Sequence, residues 1–151
     1  MNQSFSITRQ NRKILHAYLK NYSLEQLNKV PAGFSNNLIW NIGHIVVVQQ
    51  LLAYKLSGLP LMVSEELVLK YSRGTKPEAE AMQAEADEIE SLLFKTVEQT
   101  EADYANGVFQ DYREFKTELG FTLKSAEEAI LFNNFHEAVH LGIMMSIKKF
   151  V

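Results

Sequence analysis

NNFHEAVHLGIM, residues Asn133–Met144, decides how the chain is read, because it sets His136 and His140 four residues apart in a helix-forming run. Two side chains at that spacing share one face of a helix. At about 100° per residue they fall inside an apolar arc made by Ala129, Phe132, Val139, Ile143, Met144 and Ile147, so both imidazoles are expected to point into a core. A neutral imidazole there needs a donor and an acceptor satisfied, which calls for hydrogen-bond partners, water or a metal. The plain alternative to a metal is a hydrogen-bonded core pair. The run also spells H-E-x-x-H, with Glu137 where a zinc protease carries its general base. Such a protease draws its third ligand from downstream, yet the eleven residues after His140 contain no His, Asp or Glu. Ile143 stands where the longer metzincin signature has glycine, and no strand-edged substrate cleft is evident. If a metal is bound, the third ligand has to come from upstream.

Outward from this run, the composition narrows the choices. The chain has 151 residues, 46% of them hydrophobic, with only three prolines and seven glycines, which suits one compact domain over residues 1–151. A net charge of -3 with no lysine-arginine run gives no cationic field for nucleic acid, so DNA or RNA is not an expected partner. There is no cysteine, which leaves His, Asp and Glu as the only builders of a transition-metal site. No apolar run is long enough to span a membrane and the N-terminus lacks a signal-peptide core, so the protein is expected to be cytoplasmic.

The periodicity predicts an all-α fold. Ser6–Tyr22 reads as a first helix, with Ile7, Ile14, Leu15, Tyr18, Leu19 and Tyr22 on one side and Arg9, Arg12, Lys13 and Lys20 on the other. His16 projects with the basic residues and is expected at the solvated surface. Ser23 caps a short helix, Leu24–Lys29, stopped by Val30-Pro31. Ser35 is expected to cap helix two, from Asn36 to about Ser57, ended by Gly58 and Pro60. This helix carries WNIGH, in which Trp40 reads as core and His44, flanked by Trp40, Val47, Val48 and Leu51, is a third inward-pointing imidazole. Its other side, with Ile39, Ile42, Ile45 and Val46, is apolar too, and the last helix shows Leu131, Phe135, Ala138, Leu141 and Met145 away from its histidines. Helices apolar all round need cover on both sides, which predicts a homodimer packed through helices two and four.

Leu59–Lys76 reads as a connection with one helical turn at Ser64–Lys70. Gly74-Thr75-Lys76-Pro77 opens helix three, which runs to about Tyr104 with a narrow apolar stripe and an acidic outer face. Ala105–Lys124 shows no clean period and no strand, and is expected to pack across the bundle as a connection long enough to join parallel helices. Ser125 and Glu128 form a capping box at the start of helix four.

The order of these pieces, WNIGH on helix two, a long polar helix three and HEAVHLG on helix four, resembles the DinB/YfiT-like superfamily over nearly the whole chain. The resemblance implies a four-helix bundle in up-down-down-up order, and one divalent metal held by His44, His136 and His140. It departs from the family pattern at Ile143, where many relatives carry a polar residue. Three imidazoles leave a position open for water or substrate, as in a catalytic site, and zinc and nickel both accept such ligands. Relatives include thiol S-transferases that use bacillithiol or mycothiol, and isomerases and hydrolases. The resemblance therefore implies a metal-dependent transfer between a small-molecule substrate and a low-molecular-weight thiol, or a hydrolysis, with a non-catalytic metal-binding or stress-response bundle as the alternative. Glu137 is a candidate base or a partner that orients a ligand imidazole, against a surface or helix-capping carboxylate. Asn133, one turn earlier, is a candidate substrate contact.

Overall fold

The computed structural model of the chain describes residues 1–151. Apolar spacing and caps build six helices: α1 (Asn2–Asn21), α2 (Leu24–Asn28), α3 (Leu38–Ala53), α4 (Glu65–Tyr71), α5 (Gln83–Ala105) and α6 (Ala126–Ile147). Helices two, three and four of the sequence reading are α3, α5 and α6.

Several ends lie where local chemistry put them. Ser23 and Gln26 close a reciprocal box on α2, Ser64 caps α4, and Gly58 ends the turn after α3 at a φ of 71°. Other ends moved. α1 starts four residues before Ser6, with no side-chain cap, because Phe5 is buried against Val97 and Ile130 and holds the first turn in place. The cap of α3 is Asn37, not Ser35: Asn37 Oδ1 accepts from Trp40 N at 2.8 Å while its Nδ2 donates to Asn28 O at 2.8 Å. α5 begins at Gln83 instead of Pro77, since Asn28 clamps Ala81 by both backbone groups, at 2.8 and 2.9 Å, and keeps the approach non-helical. At α6, Ser125 Oγ accepts from Glu128 N, but Glu128 Oε2 reaches past Ser125 to Lys124 N at 2.7 Å, so the box is opened by one residue. The connection before α6 holds a small antiparallel hairpin that the periodicity missed, β1 (Phe115–Lys116) with β2 (Thr122–Leu123). Its Phe121 packs on Phe132 and Phe135 of α6.

The hydrogen bonds that cross between helices give the topology. Ser4 and Thr8 bond to Asn134, and Arg12 to Glu137, so α1 and α6 run parallel. Gln49 bonds to Thr100 and Tyr54 to Asp103, so α3 and α5 are parallel as well. Asn41 meets His140 while His44 meets His136, which makes α3 and α6 antiparallel. The result is a four-helix bundle in up-down-down-up order, in which the α4 region is the crossover that joins the parallel pair α3 and α5. The connection before α6, expected to join parallel helices, joins the antiparallel pair α5 and α6 instead, because the chain had already crossed over through α4.

α3 lies at the centre, and fourteen of its residues are buried by α2, α4, α5 and α6. The cover expected from a partner copy on this helix is thus supplied within the chain, with α2 and α4 adding to that of α5 and α6. α6 differs. Its buried stripe is Ala126, Ala129, Ile130, Asn133, Glu137, Leu141, Met144 and Ile147, and Leu131, Phe135, Val139 and Ile143 are 37–51% exposed. Val139 and Ile143, expected inside, lie outside, and Leu141 lies inside, because the centre of the stripe turns toward α1 and the histidines sit on the flank that meets α3. No helix is long and apolar enough to cross a membrane.

Candidate metal centre

Three imidazoles from two helices converge between α3 and α6. One ring nitrogen from each of His44, His136 and His140 lies within 4.8 Å of the other two. His44 Nε2 and His136 Nε2 are 3.3 Å apart, and two nitrogens about 2.0–2.1 Å from one ion at the tetrahedral angle would be separated by about 3.3 Å. The donor set is all imidazole, with no thiolate or carboxylate, which suits a divalent transition-metal ion.

The neighbours of each ring fix its proton. His44 Nδ1 lies 2.7 Å from the Tyr71 carbonyl, a pure acceptor, so Nδ1 carries the hydrogen and Nε2 offers its lone pair. His140 Nδ1 lies 2.8 Å from Asn41 Oδ1, and the orientation of that amide is set by its Nδ2 donating to Asn37 O at 2.7 Å. Nε2 of His140 is therefore a lone pair too. His136 Nε2 then has to donate to His44, which leaves His136 Nδ1 as a buried atom with no hydrogen-bond partner. Two rings are preset with Nε2 as acceptor, and a cation at the common point would take the Nε2 lone pair of His136 as well, in place of its contact with His44; His136 Nδ1 has no partner in either tautomer. Trp40 is buried core and stacks on His44 at a centroid distance of 4.6 Å and 15° between planes.

Burial lowers the basicity of all three. His136 is driven down to about 2 by desolvation and by the nearby His140, His44 and Arg12, and His140 to about 4 by desolvation and His44. His44 is lowered by desolvation, against which its bond to the Tyr71 carbonyl works. In the unfolded chain each ring returns to about 6.5. As the pH falls from about 6.5 toward 4, the unfolded chain binds protons that the folded, metal-free chain refuses, so stability declines on the acid side and is retained above 6.5. Each such histidine contributes a slope of up to about 1.4 kcal/mol per pH unit. Urea midpoints of the metal-free protein at about pH 7.5 and about pH 5 measure this; equal midpoints would mean that the rings are not held neutral.

The other sequence candidates sit elsewhere. Asn133 and Glu137 are on the face of α6 that meets α1. Glu137 is 0% exposed, which overturns a surface or capping carboxylate, and its Oε1 accepts from Arg12 Nε at 3.0 Å, Arg12 Nη2 at 2.7 Å and Asn133 Nδ2 at 2.9 Å. Arg12, expected in solvent with the other basic residues of α1, is also 0% exposed. His16 is away from the cluster, half-buried and paired with Glu90 at 3.0 Å. Two groups at the centre escaped the sequence reading. Asn41 had a signal, an amide amid apolar residues one turn before His44 on a helix apolar on both sides; the Tyr71 carbonyl had none, since a backbone group leaves no mark on side-chain patterns.

The sequence matches the family described as the DinB superfamily over residues 7–144. No curated protein matches it.

Proposed function

The chain belongs to the DinB superfamily, and from that premise we propose that it holds one divalent ion, zinc or nickel, on His44, His136 and His140 and uses it in a small-molecule transfer involving a low-molecular-weight thiol, with hydrolysis as the second reaction class. The observation that carries the proposal is the three-membered donor set: His44, His136 and His140 form a group with no fourth protein ligand in it, which supports an open coordination position. A bound divalent ion lowers the pKa of a thiol or water toward neutrality and so supplies the nucleophile. The chain's own residues prepare for this. The Tyr71 carbonyl and Asn41 keep two Nε2 lone pairs aimed at one point, and Trp40 walls off one face of His44 from water.

The three hydrogen bonds to Glu137 come from Arg12 and Asn133, none from a histidine. We therefore assign Glu137 and Asn133 to holding α1 against α6 beside His136, ahead of a role as base or substrate contact. The test of activity is incubation of the metal-loaded protein with cellular thiols and a panel of electrophiles. Turnover above the metal-free control supports the transfer; its absence across thiols, with hydrolysis of esters or amides instead, supports the second class; neither one favours a non-catalytic metal-binding bundle.

For the partner copy, the exposed apolar face of α6 supports a homodimer through this helix alone. Ala138, Gly142 and Ser146 recur every four residues on that side, and a Cβ at Gly142 would meet nothing within 4 Å inside the chain. Phe135→Asp, at the middle of the face, is expected to convert the dimer to a monomer in size-exclusion chromatography with light scattering. A parent that elutes as a monomer at high concentration removes the dimer.

A further inference from the structure

In WNIGH, Gly43 is accounted for by neither the donor set nor its hydrogen bonds. It sits inside α3, where glycine is unfavourable for a helix. A Cβ at this position would lie 2.7–2.8 Å from three ring carbons of Tyr71, closer than carbon atoms approach without displacement. The Tyr71 ring is thus pressed flat on the helix backbone at the residue before His44.

Tyr71 is the last residue of α4 and is 2% exposed. Its ring is not free to swing aside. The phenol donates to Glu85 Oε1 on α5, and Glu85 Oε2 also takes the Lys70 ammonium, so the C-terminal turn of α4 is tied to α5 at two adjacent residues. The loop that follows is tied to α3: Trp40 Nε1 donates to Thr75 Oγ1 at 3.1 Å, and Thr75 Oγ1 donates back to Lys70 O at 2.7 Å. The Tyr71 carbonyl, held by these ties, is the acceptor for His44 Nδ1 at 2.7 Å.

We propose that α4 is the positioning element of the metal centre: Gly43 opens the space in which Tyr71 lies against α3, and the carbonyl of Tyr71 then sets the tautomer and direction of the His44 ring. The proposal rests on the metal-binding reading of the three histidines. It gives each residue of the WNIGH run except Ile42 a task at the centre: Trp40 stacks and tethers, Asn41 orients His140, Gly43 admits Tyr71, and His44 presents Nε2. Because the acceptor is main chain, no side-chain replacement at position 71 deletes it. Only moving α4 does.

The first test is a long-range proton–nitrogen correlation spectrum of the metal-free protein labelled at histidine. His44 is expected as the Nδ1–H tautomer with a proton protected from exchange; an Nε2–H tautomer overturns the proposal. The second is Gly43→Ala, read by zinc competition with a chromophoric chelator and by the same spectrum. Zinc affinity is expected to fall roughly 10–100-fold, as for other losses of a ligand's orienting partner, with His44 no longer in a single tautomer. Unchanged affinity and tautomer overturn it. Tyr71→Phe, which keeps the ring and the carbonyl and cuts only the tie to Glu85, covers the case in which Gly43→Ala fails to fold: weaker zinc binding with a loosened His44 signal is expected, and parental values overturn the proposal. A parent that takes up no zinc would instead sink the metal-binding reading, while the tautomer of His44 still judges the placement of α4.

Discussion

Arg12→Ala is expected to lower the stability of the protein by about 3–5 kcal/mol, the cost of removing one member of a buried ion pair. Arg12 and Glu137 are both 0% exposed, and the guanidinium gives Glu137 Oε1 two of its three hydrogen bonds. Glu137 Oε2 already has no partner. Taking away the cation would leave a carboxylate in the protein interior with only the Asn133 amide beside it, and no rearrangement of α1 can bring water to it without opening the α1–α6 interface. Replacing both residues by leucine removes the two charges together and is expected to cost far less than the sum of the single changes. Urea unfolding of the parent, Arg12→Leu, Glu137→Leu and the double leucine variant gives the coupling directly. A single Arg12→Ala variant within about 1 kcal/mol of the parent would mean that the pair does not tie α1 to α6 as its burial implies.

His44→Ala has the other large expected effect, on metal content. Elemental analysis of protein purified without an affinity tag is expected to find about one divalent ion per chain, the stoichiometry of a three-imidazole centre. With His44 gone, the two remaining nitrogens both lie on α6, and their only counterpart across the interface is Asn41, an amide that already accepts from His140. Stoichiometric binding is expected to be lost, while His16→Ala, which touches only the Glu90 pair and the Phe94 ring, leaves it intact. The reverse outcome, with metal lost from His16→Ala and kept in His44→Ala, would sink the assignment.

Much of the architecture was legible because it is written in side-chain spacing. His44, His136 and His140 each stood among apolar neighbours at helical intervals, and the structure brings their nitrogens together; Ser23, Gly58 and Ser125 marked ends by chemistry that acts within three or four residues. What stayed hidden depends on a second helix. Arg12 looks like one more basic residue of α1 until α6 runs parallel to it and delivers Glu137. A wheel orders the residues of α6 round its axis but not the direction in which α1 and α3 lie, so Val139 and Leu141 exchanged places between inside and outside. Pro77 is a fair helix start by local rules, and it lost to Asn28, fifty-three positions away from the Ala81 that it grips.

The rings of His44 and His136 meet across 92 positions of sequence, and α6 supplies two of the three imidazoles as well as the counter-charge for Arg12. During synthesis the first three long helices can therefore collapse around α3 while one flank stays incomplete, with a lone guanidinium on α1 and a single imidazole on α3 awaiting their partners. Arrival of the final helix closes both at once. A chain stalled before residue 136 would carry one of the three imidazoles and leave that flank of α3 and α1 uncovered.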